Sequence, residues 1–221
     1  MPIKVLAPPE AYLRWAPTYE DAGALAEIDE LARRRLDPEP APPLLDAACG
    51  TGRRLRAEGG SLRGFFGIDL VLPMLLAGAR DAPVAAADLR ALPFAPGAFR
   101  SAWCRLAVGH VADLARVHAE LARALAPGGR LLVTDFHPDA ARRGLHRSFR
   151  CGGEILAVEH HVHDVADHRF AAERAGLALE EVLELAAGDE VRPHFEAAGR
   201  LDAWEAQRSL PVLLALRFRR S

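Results

Sequence analysis

An α/β fold with a doubly wound, mostly parallel sheet and helices on both faces is predicted by three observations. Between Leu44 and Phe136, short apolar runs alternate with segments of helical period. The first of these runs breaks into the small, glycine-containing loop Cys49-Gly50-Thr51-Gly52, as a strand-to-helix turn at the edge of an open sheet does. A chain of 221 residues, half of them hydrophobic, is also long enough to bury a core and suits one domain.

Taken in order, residues 10–36 carry Leu13, Trp15, Leu25, Ile28, Leu31 and Leu36 among charges, which predicts one or two amphipathic helices. The proline-rich stretch from Asp37 to Pro43 stops them. Strands are expected at Leu44–Ala48, Arg63–Ile68, Val84–Ala87, Ala98–Val108 and Arg130–Phe136. Helices are expected at Leu70–Arg80 and Val111–Leu125, the second stopped by a turn at Pro127-Gly128-Gly129. Beyond Phe136 the pattern is less regular. It gives a strand from Glu154 to His163, a helix from Val165 to Ala175 ended by Gly176, and a strand from Leu177 to Leu185. A helical stretch broken at Pro193 follows from Asp189 to Gln207, and a last strand from Pro211 to Arg219.

The formal charge of −2, with acids and bases interspersed, gives no basic stripe for a nucleic-acid backbone. Lys4 is the only lysine, a compositional bias without functional content. Cys49, Cys104 and Cys151 have neither disulfide-framework nor metal spacing. The N-terminus lacks the apolar core of a signal peptide, and no apolar run reaches the ~20 residues of a membrane span. A soluble cytoplasmic protein, monomer or homodimer, is expected.

The sharpest local signal is Leu44-Leu45-Asp46-Ala47-Ala48-Cys49-Gly50-Thr51-Gly52. An apolar strand delivers a carboxylate, then a loop where glycine lets backbone approach a ligand. No third glycine completes a dinucleotide fingerprint and no Gly-Lys-Ser/Thr makes a phosphate loop, so taken alone the motif is equally an ordinary tight turn. Asp69 ends the second strand, spaced to grip ribose hydroxyls or to cap the following helix. Asp88 ends the third, where it could meet an adenine amino group while the Leu89 amide meets the ring. Three acids after three successive strands point to one crevice.

In order, the motifs LLDAACGTG, GIDL, AADLRALPF and LARALAPGGRLLVTDFHP resemble those of class I S-adenosylmethionine-dependent methyltransferases, in particular the small-molecule branch with the quinone-biosynthesis C-methyltransferases. The resemblance spans roughly residues 10–137. It implies a Rossmann-like sheet of seven strands with an antiparallel last strand, S-adenosyl-L-methionine as cofactor and a small-molecule acceptor. The implied layout is a single domain, 1–221, with an N-terminal helical cap (1–40), a cofactor half (41–137) and an acceptor half (138–221) whose segment 139–164 forms a lid. Residue by residue, it implies that Asp46, Ala48, Cys49, Gly50, Thr51 and Gly52 hold the methionine part. Asp69 and Leu70 would hold the ribose and adenine side, and Asp88 and Leu89 the adenine edge. Backbone at Cys104, Arg105 and Leu106 would reach the amino group or sulfonium side. Tyr12, Trp15 and Tyr19 belong to an aromatic entry segment, with Tyr19 over the cofactor. Two departures stand out: Phe99-Arg100 where an aspartate commonly follows the aromatic residue, and Arg53-Arg54 after the glycine loop.

Methyl transfer from a sulfonium needs positioning and exclusion of water more than a base. Where a base is needed, His110 and His137, which follow the fourth and fifth strands, are candidates, each equally a loop histidine with a structural hydrogen bond. Glu159, His161 and His163 would share one face of an extended strand. That face suits the substrate pocket or plain surface better than a metal, since no metal-ligand spacing supports one. Phe195 and Trp204 would wall the pocket or sit in the core. The competing readings are a nucleotide-dependent oxidoreductase and a non-catalytic binding protein on the same fold.

Overall fold

The computed structural model describes residues 3–19, 23–57, 64–78 and 82–221. Its first elements are β1 (Lys4–Leu6), α1 (Pro8–Trp15), α2 (Ala24–Leu36), β2 (Leu44–Ala47), α3 (Arg53–Ala57), β3 (Phe65–Asp69) and α4 (Leu72–Gly78). Next come β4 (Val84–Ala86), β5 (Phe99–Arg105), α5 (Leu114–Ala124), β6 (Leu125–Phe136), α6 (Pro138–Arg142), β7 (Ser148–Cys151) and β8 (Glu154–Val158). The chain ends with α7 (Val165–Arg174), β9 (Leu177–Ala186), α8 (Arg192–Ala197), α9 (Leu201–Gln207) and β10 (Pro211–Arg220). The expected Arg63 start of the second strand and the Ala79-Arg80 end of the helix after it lie outside the described residues.

Seven strands form the main sheet in the order β4-β3-β2-β5-β6-β10-β9. The pairs from β4 to β6 are parallel, and β10 runs antiparallel to both β6 and β9. The Rossmann-like fold expected from the motifs is therefore present. Side-chain alternation along each strand feeds two cores. Leu45, Ala102, Leu131 and Leu214 join Val117, Leu121 and Ala172 of α5 and α7 on one face. Leu44, Trp103, Leu132 and Leu213 meet Ile28, Leu36 and Trp204 on the other. The second face also buries polar groups: Arg105 bonds Asp29 and Glu30, and the Trp103 indole donates to Asp37. Phe195 packs at the edge of this second core beside Trp204, so both aromatics belong to packing there and neither lines the cavity described below.

Three differences from the sequence reading have local causes. The helix α5 gives way to β6 at Leu125, without the expected turn. Phe99 pairs with Leu125 and Ser101 with Arg130, so Ala126 to Gly129 loop out as an irregularity inside the strand. Pro127, having no N–H, suits such a position. The break expected at Pro193 falls at Gly199 instead, where φ is +65°. Pro193 sits in the first turn of α8, where a missing N–H costs nothing.

The third difference is a second sheet, β1-β8-β7, which the sequence reading did not anticipate. The N-terminal strand β1 pairs parallel with β8, and β7 pairs antiparallel with it. Leu6, Ala11, Phe149, Leu156 and Val158 give it a small core of its own. The region expected to be a helical cap thus begins as a strand of this second sheet. The strand expected to reach His163 stops at Val158. From there the Glu159 amide bonds Leu6, the His161 amide bonds Gly109, and the His163 Nε2 bonds the Val111 carbonyl, drawing the chain across the loop after β5.

Candidate active site

A cavity of about 450 Å³ opens where the C-terminal ends of β2, β3 and β5 meet α1 and the lid. That volume lies in the range of small-molecule sites, and its place beyond the carboxyl ends of the strands is where open α/β sheets bind ligands. Two non-glycine residues with left-handed backbone line it, Ala48 (φ +65°) and Leu106 (φ +56°), alongside Gly50 (φ +60°). Strain of this kind persists only where the surroundings enforce it, and it gathers at functional sites.

One wall carries the strand-end acids. Asp69 accepts the Gly50 amide at 2.8 Å and the Val71 amide at 2.8 Å, so it both braces the glycine loop and caps the turn into α4. Burial raises its pKa. Asp88 also faces the cavity, but both its oxygens are taken by the Arg90 side chain, at 3.0, 3.1 and 2.6 Å. That hydrogen-bonded arginine lowers its pKa. Leu70, Leu89 and Met74 supply apolar surface on the same side.

Several expected contacts lie behind the wall. Asp46 is fully buried with neither oxygen hydrogen-bonded, and its nearest cation is Arg54 at 3.6 Å. Burial raises its pKa. The Thr51 hydroxyl is likewise buried without a partner. Cys49, Gly52 and Cys104 do not reach the cavity surface; the Cys49 sulfur packs toward Gly67, and Cys104 joins the core. Arg105 sits at the cavity, yet its guanidinium turns away to Asp29 and Glu30. Arg54, noticed in the sequence only as a departure, lines the cavity and bonds the Arg105 carbonyl at 3.3 Å.

The opposite wall is assembled from distant segments. His110 donates from Nδ1 to the Glu159 carbonyl at 3.1 Å, which leaves Nε2 to accept. The Tyr12 hydroxyl donates to that nitrogen at 2.9 Å and an Arg147 N–H at 3.3 Å. Burial, with Arg147 adding to it, lowers the His110 pKa to about 3. Tyr19 stands beside Gly50, its ring 3.7 Å from where a Cβ would be. His161 lines the cavity.

His163 and Trp15 do not line it, contrary to the sequence reading. His163 stacks on His161, ring centroids 6.5 Å apart, but turns its edge toward His168 at 6.1 Å, and residues 159–163 are not a strand. Trp15 stacks on Phe149 at 4.7 Å and on Tyr12 at 5.8 Å, supporting the lid. His137 is also displaced from the expected place: its Nδ1 caps α6 through the Asp139 amide and its Nε2 lies 3.3 Å from Glu184. A structural cap of this kind leaves it no reach to the cavity. Arg147 carried no recognisable sequence signal, since it comes from an irregular stretch just before β7.

Residues 45–133 match the family model described as methyltransferase domain. A demethylmenaquinone methyltransferase of Corynebacterium kroppenstedtii is 39% identical over 105 residues, 47% of this chain and 46% of that protein. A malonyl-[acyl-carrier protein] O-methyltransferase of Methylovorus is 29% identical over 182 residues, 74% of this chain and 60% of that one. The chain spans about half the length of the curated relatives it matches. The solved structure of an S-adenosylmethionine-dependent methyltransferase from Mesorhizobium loti superposes with a TM-score of 0.65 at 23% identity, covering 90% of this chain and 99% of that one. The ordered motifs, the sheet order and these matches identify residues 45–133 as a methyltransferase domain, set in a class I S-adenosylmethionine-dependent methyltransferase fold resembling the quinone-biosynthesis enzymes.

Proposed function

We propose that this protein transfers a methyl group from S-adenosylmethionine to a small-molecule acceptor, working in the cytoplasm without a metal. The observation that carries the reading is Asp69. Each of its oxygens takes one backbone N–H, holding the loop while leaving lone pairs for the two hydroxyls of a ribose. The rest of the wall fits the same ligand. Leu70, Leu89 and Met74 would flank the adenine, and Asp88 with the Leu89 amide its polar edge. Arg54 offers a cation for the amino-acid carboxylate, backed by Asp46, which acts through Arg54 and not by contact. Tyr19 would cover the bound group. When bound, S-adenosylmethionine supplies an activated methyl on a sulfonium.

The residues of the opposite wall position the acceptor and exclude water. A histidine with a pKa of about 3, accepting from Tyr12 and Arg147, is a poor base at neutral pH; His110 instead holds the Tyr12 hydroxyl, and with it the Tyr12 ring, in place on this wall. The lid segment 139–164 and α1 close this side. The relatives' names speak of demethylmenaquinone and of malonyl-[acyl-carrier protein], and a small-molecule acceptor is the reading adopted. The balanced net charge argues against a nucleic acid.

Thermal unfolding tests the cofactor reading. S-adenosylhomocysteine at ~100 times its Kd stabilises by about 2.7 kcal/mol, which for a chain of this size raises Tm by ~5–10 °C, while NAD(P) at equal concentration leaves it unchanged. Stabilisation by NAD(P) alone would return the oxidoreductase reading. Binding with no methylated product across a broad acceptor panel would return the non-catalytic one.

A further inference from the structure

We propose that the acceptor carries an anionic oxygen, a carboxylate or an ionised enol or phenol, and that Arg147 is the residue that binds it; the inference rests on the methyltransferase reading of the same cavity.

Arg147 enters the cavity from the stretch before β7 and meets only neutral partners. One Nη1 hydrogen bond goes to the Leu106 carbonyl, and a second reaches His110 Nε2 at 3.3 Å. Nη2 donates to the Tyr19 hydroxyl at 3.3 Å. The guanidinium lies over the rings of Tyr12 and Trp15, at 5.6 and 5.8 Å from their centroids. Among the described residues no carboxylate forms an ion pair with it. The three other arginines lining this cavity are answered: Arg54 by Asp46 and Asp29, each at 3.6 Å, Arg90 by Asp88 at 2.6 Å, and Arg105 by Asp29 at 2.8 Å and Glu30 at 2.9 Å.

A cation walled in by aromatic rings, whose electrostatic neighbour Asp135 lies too far off to form an ion pair with it, is costly unless an anion completes it. The guanidinium has five N–H donors in a planar fork that matches a carboxylate, and these three hydrogen bonds do not exhaust them. An acceptor that arrives already ionised also needs no base, in keeping with a His110 whose Nε2 is already taken by the Tyr12 hydroxyl and Arg147. Because Arg147 ties together α1, Tyr19, the loop after β5 and the lid, an anion seated on it would also hold the lid closed.

Calorimetric titration of the full chain saturated with S-adenosylhomocysteine tests this, with benzoate against benzamide and 4-nitrophenolate against 4-nitroanisole as probes. The expected result is about tenfold tighter binding of at least one ionised probe than of its neutral partner, the order of a charge-assisted hydrogen bond. Whichever ionised probe is preferred distinguishes a carboxylate from a phenolate. The preference should vanish in Arg147→Gln and persist in part in Arg147→Lys, with S-adenosylhomocysteine affinity within about threefold of the parent. Equal or absent binding of the ionised and neutral probes to the unmodified protein overturns the proposal without any variant having to fold. So does a preference that survives Arg147→Gln. A tenfold loss of S-adenosylhomocysteine affinity in that variant would overturn it too, assigning Arg147 to the cofactor's carboxylate. Failure of the unmodified protein to bind S-adenosylhomocysteine at all is a different result, and it defeats the methyltransferase reading itself.

Discussion

Along one wall of the cavity, Ala48, Gly50, Asp69, Asp88 and Leu89 come from the ends of three strands that follow one another in the chain. Along the other, Tyr12, His110, Arg147 and His161 come from an N-terminal helix, a loop after β5 and two stretches of the lid, with hydrogen bonds that join residues 98 and 128 positions apart. The first wall is local: each strand-to-helix connection makes its own piece, and the parallel sheet sets the pieces side by side. The second exists only where segments far apart in the chain pack together. The walls differ in charge state as well. Burial raises the pKa of Asp46 and Asp69 on the first, and lowers that of His110 and of nearby His160 on the second, His160 to about 4.

Acid should therefore separate the two halves, and this is the largest effect expected. A histidine held below its ordinary pKa in the fold takes up fewer protons than it does unfolded, so its contribution to stability is intact above about 6.5 and falls as the pH drops toward the folded value. A carboxylate held above its ordinary value does the reverse and relaxes as the pH drops. His118 and His168, edge to face where α7 of the acceptor half packs on α5 and fully buried, add to this effect: their pKa values are lowered by burial to about 4 and about 3. Each can remove up to about 1.4 kcal/mol per pH unit between pH 6.5 and 4. Asp135, raised to about 7 by burial, opposes them in part. Hydrogen exchange followed from pH 7 to 4.5 should show protection lost first in 160–175, while 44–52 holds. Loss that is even across the chain, or that begins at the glycine loop, would remove the distinction.

The same contrast governs what could be read from residues alone. Asp69 and the Gly50 loop were legible because strand period, loop glycine and acid all fall within one short window. The bracing of Gly50 by Asp69 was not, because sequence spacing says nothing of which backbone amide a carboxylate will meet. On the far wall, alternation continues in the sequence through His163, but the strand ends at Val158, where the Leu6 carbonyl takes the next amide. β1 itself is three residues long, too short for periodicity to register. Arg147 and Arg54 are ordinary basic residues in the sequence, and only long-range packing gives them a cavity to face.

Within the cofactor wall, two acids that read alike should behave unequally. Asp69 is held by two backbone amides and braces the loop, whereas Asp88 is engaged by the exposed Arg90. Asp69→Ala removes the brace together with any hydroxyl contact, and a loss of about 2–3 kcal/mol in S-adenosylhomocysteine binding is expected, roughly 30- to 150-fold by calorimetry. Asp88→Ala should cost only a few-fold, since its carboxylate is already spent on a surface pair. Equal losses would mean that the brace contributes nothing and that both acids act only through direct contact.

Gly109 offers the converse test on the acceptor wall, with the smallest effect of the three. A Cβ there would lie 2.0 Å from the His160 ring and 2.7 Å from the Asp135 carboxylate, while the Gly109 carbonyl accepts the His161 amide. Gly109→Ala must push the His160 ring aside, and the imidazole is too stiff to yield without moving the segment that carries His161. Overpacking of this kind costs about 1–2 kcal/mol, seen as a fall in Tm of several degrees. Binding of S-adenosylhomocysteine should stay within about twofold of the parent, because the glycine loop and Asp69 lie across the cavity and share no contact with Gly109. If cofactor affinity fell together with Tm, the two walls would be mechanically coupled, and the lid would have to be counted as part of the cofactor site as well as the acceptor site.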